Sequence, residues 1–183
     1  MATEFLEEIH KLNVTDPAEM MDLAIEWVRK SFPDVESVST ETLQSWLEEK
    51  PEELLIFDIR KADEFEVSHL PGAIRIDPES NNIQEILQEH LQKEHEKQKH
   101  VVCYCTVGYR ASLTAQSLNE FLSSERGQKL KPFLKIYNVI GGLAKWARER
   151  KGMVDKQERS THLVHPYDAD WAKLLEPELQ AQI

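Results

Sequence analysis

Cys105 and Arg110, separated by four residues, stand where the chain changes character, and chemistry can be placed there. Before them, Val101 and Val102 are β-branched, apolar and preceded by a charged run. This is how a strand buried on both faces of a parallel sheet reads. After them, Ala111, Ala115, Leu118 and Leu122 recur at helical spacing. Thr106, Val107, Gly108, Tyr109 and Arg110 therefore form a loop that closes onto a helix N-terminus, with the Cys105 thiol at the strand's end. Unpaired N–H groups and the positive end of the helix dipole favour an anion at the sulfur, and the thiolate is the nucleophilic form of cysteine.

The motifs around this loop carry a resemblance. Upstream lie Phe57-Asp58-Ile59-Arg60, then Glu64-Phe65, then Ser68-His69-Leu70-Pro71-Gly72-Ala73-Ile74; downstream lie Val139-Ile140-Gly141-Gly142 and Trp146. Together with Cys105 to Arg110, these residues resemble the rhodanese, or sulfurtransferase, family in order and spacing over residues 38–150. One departure is Ser68, where a glycine is usual, which bears on turn geometry. The resemblance implies an α/β fold with a central, mostly parallel sheet flanked by helices on both faces. It implies Cys105 as the catalytic nucleophile, taking a sulfane sulfur from thiosulfate or a low-molecular-weight persulfide and passing it to a thiol or to cyanide. The N–H groups of Thr106, Val107, Gly108, Tyr109 and Arg110 would stabilise the anionic persulfide, and Arg110 would attract or orient an anionic donor. The alternative for Arg110 is packing against an acid. No cofactor and no metal is expected. The fold is shared with cell-cycle dual-specificity phosphatases, whose loop puts five residues between Cys and Arg. Four suit a sulfur atom better than a phosphoryl group, which makes phosphatase the weaker enzyme reading.

Composition narrows the partners. A net charge of −11 in 183 residues opposes binding to nucleic acid and to anionic membranes. No run of about eighteen apolar residues exists to span a bilayer. Acids among the first eight residues, without a basic or apolar leader pattern, point to a cytoplasmic location. Two cysteines are too few for a disulfide framework and fit catalysis better.

Residues 1–37 are expected to form a helical extension and 151–183 a second extension packing on the domain between them. Phe5, Ile9 and Leu12 mark the apolar side of a first helix; Asp16-Pro17-Ala18-Glu19 starts a second, which Pro33 ends. Tyr167 to Leu175 suggests a short amphipathic helix through Trp171, Leu174 and Leu175. Arg60 is expected to pair with Glu64, and Asp58 to cap backbone N–H groups, so neither is counted as catalytic. His69 is expected to hold its own turn rather than serve Cys105 as a base. His90, His95 and His100, spaced by five within a solvated charged run, are not expected to bind metal. Cys103 is expected on the same strand face as Cys105, as a small core hydrophobe, with a resolving role as the alternative. A second function class also fits the chain: a weakly catalytic binding module whose extensions dock a protein partner.

Overall fold

The computed structural model describes residues 2–93 and 97–183. Three apolar runs build the middle of the sheet: β2 (Leu54–Asp58), β4 (Lys99–Tyr104) and β5 (Leu134–Val139). With β1 (Ser37–Val38) and β3 (Ile74–Arg75) they form a five-stranded sheet in the order β1-β5-β4-β2-β3, every pairing parallel. Parallel pairing puts all the strand C-termini on one edge, where ligand sites form in open α/β sheets. Phe57 lies beside Cys103 and Asp58 beside Tyr104 at that edge.

Alternation along β4 divides the core in two. Val101, Cys103 and Cys105 face an apolar cluster with α5 (Ile83–Lys93) and α6 (Tyr109–Leu122). Val102 and Tyr104 face the other cluster, with α3 (Thr40–Glu49), α7 (Gly142–Arg148) and both extensions. The remaining helix, α4 (Ala62–Val67), follows β2.

The extensions are part of this second core. α1 (Ala2–Leu12) buries Phe5 and Ile9, but Leu12, expected beside them, is 61% exposed. The helix ends there and Asn13 turns the chain at φ +53. In α2 (Pro17–Ser31), Asp16 caps the N-terminus by accepting from the Glu19 N–H. Beyond Lys151 the chain makes a hairpin, β6 (Met153–Val154) with β7 (Ser160–Thr161). The helix expected over Tyr167 to Leu175 is replaced by a single 3-10 turn, Trp171–Leu174. Leu175 and Glu176 turn extended ahead of Pro177, whose ring excludes helical backbone in the residue before it. Trp171, Leu174 and Leu175 are nonetheless buried as their types require. Among the described residues, no helix is long and apolar enough to cross a membrane.

The charged run ends sooner than expected. Lys99 and His100 already belong to β4; Lys99 Nζ donates to the Glu52 carbonyl, and the His100 ring stacks on Trp46 at 4.2 Å. His95 lies outside the described residues.

Candidate active site

Cys105 is the first residue past β4, and the chain must turn within three residues to start α6 at Tyr109. Gly108 makes that turn at φ +123, a conformation that side chains oppose. The Gly108 N–H then points at Cys105 Sγ at 3.1 Å, and the Ala111 N–H from the first turn of α6 follows at 3.5 Å. A sulfur carrying negative charge meets backbone donors here. The same loop is gripped from behind by α7, whose Leu143 N–H donates to the Cys105 carbonyl at 2.9 Å and Ala144 N–H to the Thr106 carbonyl at 3.0 Å. Gly142, at φ +58, lets the helix come this close; a Cβ there would sit 2.6 Å from the Cys105 carbonyl oxygen.

Arg110 does not stand open. Its Nη1 and Nη2 donate to the two oxygens of Glu64 at 2.8 and 2.9 Å, and Nη2 also donates to Thr106 Oγ1 at 3.0 Å. Glu64 is buried and also accepts from the Lys61 N–H at 3.0 Å. Burial works to raise the Glu64 carboxyl, but the hydrogen bonds and charge of Arg110 outweigh it and hold the group below the usual carboxylate range.

The pairing expected between Arg60 and Glu64 is therefore wrong. Arg60 precedes α4 rather than lying on it, so helical spacing does not bring the two together. Arg60 instead grips Asp58, Nε to Oδ1 at 2.8 Å and Nη2 to Oδ2 at 2.7 Å, and reaches the Ser68 carbonyl at 2.6 Å. Tyr104 Oη donates to Asp58 Oδ2 at 2.5 Å and accepts from the Leu70 N–H at 3.0 Å. Asp58 and Arg60 thus tie the Ser68–Leu70 turn to the sheet. Ser68 itself is extended at φ −165, which needs no glycine. His69 bonds the Phe65 carbonyl through Nδ1 at 2.8 Å and stacks on the Phe65 ring at 3.7 Å, so it holds its own turn.

A family model for the Rhodanese-like domain matches residues 39–149. The chain belongs to the rhodanese-like domain family. Among similar proteins is a thiosulfate sulfurtransferase, GlpE, of Coxiella burnetii, 29% identical over 104 residues, covering 57% of this chain and 81% of that one. Another is the dual specificity phosphatase ibp1 of Schizosaccharomyces pombe, 30% identical over 128 residues, covering 63% of this chain and 90% of that one. In fold, the chain is similar to the crystal structure of a thiosulfate sulfurtransferase from Pseudomonas aeruginosa, with a TM-score of 0.54 at 20% identity over 74% of this chain and 23% of that one.

The rhodanese-like domain does not form its cavity alone. Cys105, Thr106, Val107, Tyr109 and Arg110 line a cavity of about 170 Å³ that Trp27, Tyr167 and Trp171 close. Those three aromatics lie outside the matched residues, one in the first extension and two in the second. Sequence reasoning placed Trp171 in a buried face but assigned none of them to the site. It also missed Glu64 as the partner of Arg110.

Cys103 is fully buried two residues before Cys105, and both thiols are free. Burial, with the nearby Cys105 charge adding to it, pushes the Cys103 thiol up to about 12. It stays protonated at neutral pH and is a poor nucleophile. Iodoacetamide at pH 8 is therefore expected to label Cys105 in the folded protein and leave Cys103 unlabelled until denaturant is added. Peptide mapping reads the two sites separately, and equal labelling would contradict the burial argument.

Proposed function

We propose that this rhodanese-like protein is a sulfurtransferase whose carrier is a Cys105 persulfide, the matched domain being flanked by extensions at 1–37 and 151–183. The carrying observation is the Cys105 sulfur at the end of β4, facing the N–H groups of Gly108 and Ala111 and opening on a cavity. The thiolate attacks the outer sulfur of a donor such as thiosulfate or a small persulfide. A new S–S bond forms to Cys105, the donor's S–S bond breaks, and its electron pair leaves with sulfite or the thiolate. The negative charge then lies on the outer sulfur of the persulfide, within reach of the loop's backbone dipoles. An acceptor thiolate or cyanide takes that sulfur and the pair returns to Cys105. The bonds from Arg110 to Glu64 and Thr106 support a positioning role, holding the loop, over the donor-orienting role considered from sequence. A carrier thiol needs a reducing compartment, which supports a cytoplasmic location.

Mass spectrometry of the reduced protein after incubation with thiosulfate or glutathione persulfide tests the reading. One added sulfur, mapped to the Cys105 peptide and discharged by cyanide as thiocyanate, is expected. No adduct from either donor, in folded protein whose Cys105 still alkylates, would overturn it and favour the partner-docking module. The likeness to a dual specificity phosphatase favours phosphate-ester hydrolysis as a second reading. Four residues between Cys105 and Arg110 leave a shorter cradle than the five of that chemistry, and p-nitrophenyl phosphate turnover would separate the two.

A further inference from the structure

Resting on the carrier reading, we infer that the cavity over Cys105 selects sulfur compounds with an aryl or compact apolar body over small hydrophilic anions such as thiosulfate. The walls come first. Trp27 is sandwiched between Phe5 at 4.7 Å and Tyr109 at 4.9 Å, all nearly parallel, and Phe5 also stacks on Trp171 at 5.6 Å. α1, α2, the start of α6 and the C-terminal extension are thereby locked into one aromatic row beside the thiol. Such a wall is preformed and apolar. The cavity is an open cleft, and its volume of about 170 Å³ is of the size that accepts a benzene ring, about 150 Å³ in an apolar cavity.

Charge points the same way. Arg110 is the one cation among the described residues lining the cavity, and Glu64 neutralises it through two hydrogen bonds. A dianion entering this space sheds water without meeting a net positive charge, and the protein's overall −11 adds to the barrier. An aryl group gains from the same walls.

Tyr167 supplies an independent sign of selection. It is 43% exposed and stands at φ +76, the left-handed region that a bulky side chain avoids. Core packing does not demand this conformation; its effect is to set the ring over the Arg110 guanidinium, 4.9 Å away, at the cavity mouth. Backbone strain held at a site's rim is characteristic of functional residues.

Three donors with the same sulfane sulfur test the inference: thiosulfate, methanethiosulfonate and benzenethiosulfonate. In each, the Cys105 thiolate takes the outer sulfur and the S–S electron pair leaves with sulfite, methanesulfinate or benzenesulfinate. The measurement is kcat/KM for thiocyanate formation with cyanide, divided by the uncatalysed rate of each donor with cyanide. The normalised preference for benzenethiosulfonate over methanethiosulfonate is expected to be roughly tenfold or more, with thiosulfate below both. Tyr167→Gly relaxes the backbone while removing the ring, so it folds, and is expected to cut that preference severalfold; Trp171→Leu is expected to do the same. Normalised rates that are equal across the three donors would overturn the selectivity and leave the carrier standing. No transfer from any donor would overturn the carrier reading, and the selectivity with it. A preference unchanged in both variants would overturn the assignment of the extensions to substrate binding.

Discussion

Gly142→Ala is expected to slow sulfur loading of Cys105 by about a hundredfold, because misplacing a reacting atom by about 1 Å costs that much. The new Cβ would stand 2.5 Å from the Thr106 carbonyl oxygen and 2.6 Å from that of Cys105. Both are backbone atoms, so the clash is relieved only by pushing the loop off the N-terminus of α7 and losing the Leu143 and Ala144 bonds. Cys105 Sγ then moves relative to the Gly108 and Ala111 N–H groups that face it. Backbone strain alone is a smaller effect, and Gly72→Ala isolates it. Gly72 also has positive φ, at +79, but a Cβ there meets nothing within 4 Å. That variant is expected to lose about 1 kcal/mol of stability and load at the wild-type rate. Time-resolved mass spectrometry of the loading step, beside denaturant unfolding of each variant, checks the pair. A Gly142→Ala protein that loads as fast as wild type would show that α7 does not set the loop.

What was legible in the sequence was local. Val101, Val102 and the helical spacing from Ala111 located β4, the loop and α6, and the thiol does face the helix N-terminus. Asp16 marked a helix start through chemistry that lies within three residues. What was not legible is the long-range part. Glu64 and Arg110 are 46 residues apart; Glu64 has Arg60 and Lys61 at nearer spacing, and Arg110 has no charged residue within four positions to point to a partner. Nothing in the sequence sets Trp27, Tyr167 and Trp171 apart, because an aromatic that walls a cavity and one that fills a core follow the same pattern of burial. Only the return of both extensions to the C-terminal edge of the sheet separates them. The 3-10 turn at Trp171 shows a further limit: apolar types announced burial, while Pro177 and a short capped turn decided the backbone.

Removing either member of the Glu64–Arg110 pair should cost far more than removing both. The Glu64 side chain is 2% exposed and that of Arg110 20%, so Glu64→Leu strands a largely buried guanidinium and Arg110→Met strands a buried carboxylate. Each single variant is expected to lose about 3 kcal/mol, at the lower end for a broken buried pair because Arg110 keeps some water. Glu64→Leu combined with Arg110→Met, two apolar groups of similar length in one place, should recover most of that loss. The sign of the pH dependence follows from the carboxyl being held low by Arg110 against the opposing effect of burial. Its contribution is complete above the unfolded-chain value of about 4.3 and disappears as pH falls through the lower folded value. Wild-type stability should therefore fall more steeply below about pH 5 than that of the double variant, the unfolded state taking up the proton first. Urea unfolding of the four proteins at pH 7 and pH 3 measures both effects. If the two losses simply add, or the wild-type and double-variant curves run parallel in acid, the pair is not what holds Arg110 and the loop, and the arginine is left able to bind an anionic donor after all.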